Sequence, residues 1–137
     1  MAFTSKHRFA RIAPRKARLV MDLVRGRDVD EALALLRFNK KRVAIFVEKV
    51  IRAAVANAVE SEVPSQATLF VSKAWVDAGP VIKRFQPKDR GKAYSIMKRT
   101  SHLCVEVDER PEGETFKSVQ KSKSGKKSSA KSAVTTA

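Results

Sequence analysis

Residues 79–102, GPVIKRFQPKDRGKAYSIMKRTSH, hold the side chains best suited to binding, and the chemistry they offer is phosphate neutralisation. This segment, called the arm below, has one acid, Asp89, against a much larger set of cations. Lysine and arginine at this density are typical of proteins that contact a nucleic-acid backbone. The basic residues of the arm are Lys83, Arg84, Lys88, Arg90, Lys92, Lys98 and Arg99.

Reactive side chains suited to catalysis are few. Ser101 and His102 resemble a nucleophile beside a base, but neighbours on a strand point to opposite faces. The only other histidine is His7, and neither histidine has a second ligand at zinc spacing. Cys104 lies in an apolar run and is predicted to be a small core residue, and no glycine-rich phosphate loop is present. The sequence therefore predicts no enzyme, no metal site and no cofactor.

The charge of the whole chain supports a polyanionic partner. The formal net charge is +15 over 137 residues, and the first 110 residues carry +11 of it. The repulsion among these positive charges favours binding to a polyphosphate or to an anionic membrane. No apolar run approaches the roughly 20 residues that cross a bilayer, the start lacks the apolar segment of a secretory signal, and a single cysteine fits a reducing compartment. We therefore expect a soluble, intracellular protein that binds nucleic acid.

Three helices are predicted to support the arm. A lead-in strand over residues 5–12 precedes a helix that starts at Pro14 and stops at Gly26. Asp28 with Glu31 matches a capping box for the second helix. Asn39 is predicted to cap the third and longest helix, and Pro64 to end it. On the first helix, Arg15, Arg18, Asp22 and Arg25 are predicted to share an exposed face, which is either simply solvated or a phosphate contact.

Two long strands joined by a turn between Pro87 and Gly91 are predicted to form the arm. Apolar residues on both faces of LFVSKAWV, residues 69–76, favour a central strand. Leu103, Val105 and Val107 alternate in the returning strand. Each strand runs about 16 residues, on the order of 50 Å at roughly 3.3 Å per residue, so the outer part should project beyond the helices.

Aromatic side chains flank the turn of the arm. Phe85 and Tyr94 lie among basic residues, beyond the reach of the predicted helical core. They either stiffen the arm by cross-strand packing or stack on unpaired RNA bases.

After residue 110 the composition becomes rich in serine and lysine. We therefore predict one domain over residues 1–110, including the hairpin at about 79–102, and a disordered Lys/Ser-rich tail over residues 111–137.

Four segments together resemble one known family, the large-subunit ribosomal proteins called L-twenty-two in bacteria. The segments are ARIAPRKARLVMDLVRG (10–26), DEALALLRF (30–38), VEKVIRAAVANA (47–58) and the arm with its KRF-x-P, RG and KRTSH motifs. The resemblance implies an α+β fold, with three helices packed on a small three-stranded antiparallel sheet and one long protruding β-hairpin. It also implies a cytoplasmic, ribosomal location, or an organellar ribosome, and no homo-oligomer.

The same resemblance implies a structural role without chemistry. The family binds large-subunit ribosomal RNA, helps assembly, contacts neighbouring ribosomal proteins, and lines the nascent-peptide exit tunnel with its hairpin. Carried over by motif, Arg11, Arg15, Lys16, Arg18 and Arg25 would bind RNA from the domain, and the basic residues of the arm would bind it from the hairpin. The hairpin tips of this family are usually richer in arginine than the tip of this chain, which has Gln86, Asp89, Ser95 and Met97. Asp89 is therefore expected to face tunnel water or a neighbouring protein.

Without the family resemblance, the residue types and their spacing indicate only a basic, polyanion-binding domain with an arm. The competing hypothesis is an architectural DNA-binding protein that clasps duplex DNA with a basic β-arm. Such proteins usually dimerise, whereas the apolar stripes here are predicted to be fully used within one domain.

Overall fold

Three helices and a three-stranded sheet form the described part of the chain, which a computed structural model gives as residues 2–61 and 68–110. This confirms the predicted α+β fold. The predicted tail, residues 111–137, and Pro64 lie outside the described residues. In chain order the elements are β1 (Phe3–Ala10), α1 (Pro14–Val24), α2 (Val29–Phe38), α3 (Val43–Glu60), β2 (Leu69–Pro87), a 3-10 turn (Asp89–Gly91) and β3 (Ala93–Glu109).

The sheet has the order β1-β3-β2, and β3 is antiparallel to both neighbours. The prediction that β2 is a central strand is wrong, because β2 lies at an edge. A bulge at Ser72 explains the misleading pattern: the register shifts after Val71, and burial passes from Leu69 and Val71 to Ala74 and Val76. An extra residue reverses the alternation of the pleat. One buried face therefore looks like two in the sequence.

The core lies between the helices and one face of the sheet. α3 buries the predicted stripe, with Val47, Ile51 and Ala54 fully covered, and β3 contributes Leu103 and Val105 to the same cluster. Both periodicities, the helical one and the alternating one, are confirmed here. Within the described residues, no helix is long and apolar enough to cross a membrane.

The ends of α1 follow the local sequence. Pro14 occupies the start of the helix, where its missing N–H costs nothing. After the helix ends at Val24, Gly26 adopts a φ of 79°, and its N–H donates to the Val71 carbonyl of β2 at 2.8 Å. Glycine adopts this left-handed backbone conformation with less strain than any other residue. The predicted start and stop are confirmed.

Asp28 is the N-cap residue of α2, as predicted, but neither of the two predicted side-chain caps forms. Asp28 precedes α2, but its side chain makes no capping hydrogen bond; its Oδ1 lies 2.8 Å from Arg110 Nη1 instead. The guanidinium is a full positive charge and competes with the backbone amides for the carboxylate. Asn39 follows α2 rather than starting α3, and its Oδ1 accepts from the Lys41 N–H at 3.0 Å. α3 begins at Val43, directly after Arg42.

Candidate nucleic-acid interface

The arm is a continuous two-stranded ladder. Val81 pairs with Arg99, and the pairing continues to Pro87 opposite Ala93. Every residue from 83 to 95 is exposed. Lys98 and Arg99 are exposed as well, so all the basic residues predicted for the arm are accessible to a ligand.

The two aromatic residues of the arm lie on opposite faces. Phe85 pairs with Ser95, and Tyr94 pairs with Gln86, so the rings do not stack on each other. Tyr94 packs against the turn, with Lys88 Nζ 5.3 Å from its ring centroid, which is a cation–π distance. Phe85 is 81% exposed. The stiffening interpretation fits Tyr94, and Phe85 is the ring left open for stacking.

The turn at the tip uses Asp89 locally. Lys88 N–H donates to the Lys92 carbonyl at 2.7 Å, which closes the loop. Asp89 Oδ1 accepts from the Arg90 N–H at 3.0 Å. Arg90 and Gly91 both have positive φ, 54° and 69°. Aspartate is common in turns because its side chain bonds nearby backbone. This bond gives the acid at the tip a role in shaping the turn.

Residues 79–80 and residues 100–102 form the base of the arm, where it joins the domain. Thr100 Oγ1 donates to the Pro80 carbonyl at 2.6 Å, beside a bulge between Ala78 and Val81. A Cβ at Gly79 would lie 2.5 Å from Thr100 Oγ1, so this position admits only glycine without rearrangement. Gly79 therefore lets the two strands approach closely where the arm leaves the domain.

Ser101 and His102 lie at the same place, on β3. Ser101 is fully buried, whereas His102 is half-buried on the other face and accepts the Phe9 N–H at its Nδ1. The prediction that they point apart is confirmed.

Cys104 is buried, as predicted, and burial raises the pKa of its thiol, with Asp77 and Glu106 adding to the effect against Lys6. Among the described residues, no three His, Cys, Asp or Glu side chains are grouped to hold a metal.

A basic groove lies where the arm meets the domain. It has a volume of about 460 Å³ and brings Arg11 of the domain together with three predicted cations of the arm. None of the described residues that line it carries a carboxylate. This groove, called the arm groove, is lined by Arg11, Ala13, Ile82, Arg84, Met97, Lys98, Arg99 and Thr100.

A second basic groove adjoins the first through Arg11. Its volume is about 470 Å³, and it lies between the start of α1 and the residues that lead into α3. It contains the predicted residue Lys16, and no carboxylate belongs to its lining in the described part of the chain. This groove, called the α1 groove, is lined by Arg11, Ile12, Ala13, Lys16, Leu19, Lys41, Arg42 and Val43.

Two predicted arginines, one on α1 and one directly after it, lie outside both grooves and bind the edge of β2. Arg25 donates from Nε and Nη2 to the Ala74 carbonyl at 3.1 and 2.6 Å, and its Nη1 lies 2.9 Å from Asp22. Arg18 Nη2 donates to the Val76 carbonyl at 3.3 Å. These bonds cover backbone groups that an edge strand leaves unpaired. Arg15, by contrast, is exposed, and among the described residues it makes no ion pair.

Comparison with known proteins gives the family. A family model described as ribosomal protein L22p/L17e matches residues 5–108. The chain belongs to this family. It is 49% identical over 106 residues to a protein of Carboxydothermus hydrogenoformans named large ribosomal subunit protein uL22, covering 77% of this chain and 94% of that protein. A protein of the same name from Lactobacillus delbrueckii subsp. bulgaricus is 55% identical over 102 residues, covering 74% of this chain and 87% of that one.

Membership of the L22p/L17e family identifies the chain as a structural ribosomal protein, and it does not favour the DNA-binding alternative. The matched span includes the whole arm and every residue that lines the two grooves. The resemblance inferred from the four segments is therefore confirmed.

Sequence reasoning missed Lys41 and Arg42 as candidate binding residues. Both are exposed, and the fold brings them to Arg11 and Lys16 across the α1 groove. The signal was present in the run Asn39–Lys40–Lys41–Arg42 between two helices. This basic run did not indicate which residues it would meet. Arg11 and Lys16 lie about 25 or more positions earlier in the chain, and only tertiary packing brings such distant residues together.

Proposed function

We propose that this L22p/L17e family member binds large-subunit ribosomal RNA with its arm and its arm groove. The arm groove supports this proposal, because Arg11 from the domain and Arg84, Lys98 and Arg99 from the arm meet around one concavity whose described lining residues include no carboxylate. Among the described residues none of these four is in an ion pair. A cluster of unneutralised cations is favoured when phosphates occupy it.

The remaining predicted cations extend this surface. Arg15 and Lys16 are exposed on α1, and Lys83, Lys88, Arg90 and Lys92 are exposed along the arm. Arg18 and Arg25 are proposed to act differently, by holding the edge of β2 so that α1 keeps its place beside the sheet. RNA binding is then a matter of charge and shape fit, with no chemical step.

The arm is proposed to line the nascent-peptide exit tunnel, with the domain near the tunnel exit. Its ladder is continuous from Val81 to the tip, and its outer residues are exposed on both faces. Phe85 is proposed to stack on a base, an interaction that its exposure permits, and the tip is proposed to contact neighbouring ribosomal proteins or the nascent peptide. The protein works as a single copy in cytoplasmic ribosomes and supports subunit assembly.

Sedimentation of cell extracts tests this proposal. The full chain should migrate with large ribosomal subunits and remain bound through moderate salt washing, since many phosphate contacts act together. A variant with Arg84→Gln and Lys98→Gln should dissociate at lower salt than the wild type. Recovery of the wild-type chain chiefly with chromosomal DNA would contradict the proposal.

A further inference from the structure

A third groove lies between α2 and α3 and shares no lining residue with the two basic grooves. Its volume is about 610 Å³. Its floor is apolar, because Val55 is buried, Leu33 packs against the core, and Val59 is exposed beside them. This groove, called the α2–α3 groove, is defined by Leu33 and Arg37 of α2 and by Arg52, Val55, Val59 and Glu60 of α3.

The α2–α3 groove carries two arginines against Glu60, the one acid among its described lining residues. Arg52 is already paired, since its Nη2 lies 2.6 Å from Glu48 Oε1. Arg37 is exposed and, within the part of the chain that the structure describes, makes no ion pair. A segment with a carboxylate and a large apolar side chain therefore fits this groove, because the carboxylate can bind Arg37 while the apolar group covers the floor.

The described chain ends beside the start of α2. Arg110 Nη1 lies 2.8 Å from Oδ1 of Asp28, the N-cap residue of that helix. Along the helix axis, Leu33 is about 8 Å and Arg37 about 14 Å from Asp28, at 1.5 Å per residue. Residues 111–116 span up to about 20 Å at roughly 3.3 Å per residue. They are therefore long enough to reach the α2–α3 groove.

The sequence of residues 111–116, PEGETF, matches the chemistry of this groove. Glu112 and Glu114 are the only acids after Arg110, and Phe116 is the only aromatic residue there. In an extended chain, positions 112, 114 and 116 project to the same side. Two carboxylates and a phenyl ring would then face one surface together, whereas the rest of the tail carries lysines and no acid.

We propose that residues 112–116 dock in the α2–α3 groove of their own chain. Phe116 covers the apolar floor, and a carboxylate of Glu112 or Glu114 binds Arg37. Because the segment is tethered at Arg110, docking within one chain is favoured over docking in a second copy. The domain boundary then moves from residue 110 to residue 116. This docking is independent of RNA binding, since none of the predicted RNA-binding residues lines the groove.

Limited proteolysis of the full chain, without RNA, tests the proposal. Glutamyl endopeptidase cuts after Glu112 and Glu114 in the undocked population, so docking slows cleavage. Phe116→Ala should raise the rate about tenfold, because burial of the phenyl ring supplies much of the docking free energy. Val119→Ala, outside the segment, is the control and should leave the rate unchanged. Each rate is divided by that of a synthetic peptide of residues 108–122 with the same substitution.

Matched variants of α2 and α3 test the groove itself. Val59→Gln should raise the cleavage rate by about threefold, because it removes part of the apolar floor. Ile45→Gln should not, although Ile45 is as exposed on α3 as Val59, at 56% and 55%, and lies outside the groove. Arg37→Gln should raise the rate by about twofold, as expected for an exposed ion pair. Lys49→Gln, an exposed position outside the groove, should leave it unchanged.

Three results would overturn the proposal. The wild-type chain might be cut as fast as the free peptide, which would leave the groove to another occupant. Protection that falls on dilution would place the segment in a second copy. Equal rates in Val59→Gln and Ile45→Gln would exclude the groove as the docking site. Because the core cluster contains no residue beyond Val107, Phe116→Ala still decides the question if Val59→Gln fails to fold.

Discussion

His102 holds the backbone of Phe9: its Nδ1 accepts the Phe9 N–H at 3.0 Å, and the two rings meet edge to face with centroids 4.8 Å apart. Phe9 has a φ of 58°, at an irregularity in the pairing of β1 with β3. A bulky residue with positive φ is strained and needs support from its surroundings. The histidine thus secures the end of β1 beside the base of the arm.

We expect His102→Ala to destabilise the protein by about 1 kcal/mol, since it removes the acceptor and the ring contact. His102→Asn, whose side-chain oxygen can replace Nδ1 as acceptor, should recover part of the loss. Urea unfolding of the full chain measures both. Equal midpoints for the two variants would show that the hydrogen bond contributes nothing.

Gly79→Ala should destabilise the base of the arm by about 1–3 kcal/mol through overpacking against Thr100. Thr100→Ala removes the closest atom, Oγ1, so the double variant should be more stable than the sum of the single effects predicts. Thermal unfolding of the four chains gives the coupling. Strict additivity would contradict the proposed clash.

Arg25 and Arg15 should differ in what they support. Arg25→Gln loses hydrogen bonds to the Ala74 carbonyl and should cost about 1 kcal/mol of unfolding free energy, a modest value because the side chain is half exposed. Arg15→Gln, an exposed residue, should change it by less than about 0.5 kcal/mol. The reverse ranking in urea unfolding would show that the edge of β2 does not need Arg25.

Cys104 should react slowly with iodoacetamide in the folded protein. Burial limits access, and the raised pKa keeps the thiol protonated at a pH where an ordinary cysteine is partly thiolate. The rate should rise with pH later than that of a model thiol and should increase sharply in urea. Equal rates in the folded and unfolded chain would rule out a buried position.

Deletion of residues 82–98, with a short turn in their place, should leave the domain cooperatively folded. The core cluster contains no residue from that span. The shortened chain should still enter large subunits, while crosslinking from the tunnel wall to a nascent peptide should change. Loss of cooperative unfolding would mean that the arm is required for the core to form.

Local sequence predicted the elements well where one residue decides the geometry. Pro14 and Gly26 bound α1 because their backbone preferences act without partners. The caps failed for the opposite reason. Asp28 is drawn to Arg110, a residue far along the chain, and no local pattern contains that competition.

The sequence by itself determined the charge of this protein, its three helices and the polar, exposed arm, because these depend on composition and short-range periodicity. Tertiary structure alone decided that β2 is an edge strand with a bulge, that Arg18 and Arg25 cover that edge, and that Lys41 and Arg42 face Arg11 and Lys16. Those outcomes depend on strand register and helix packing. They join residues that are remote in sequence, so no spacing of neighbours can encode them.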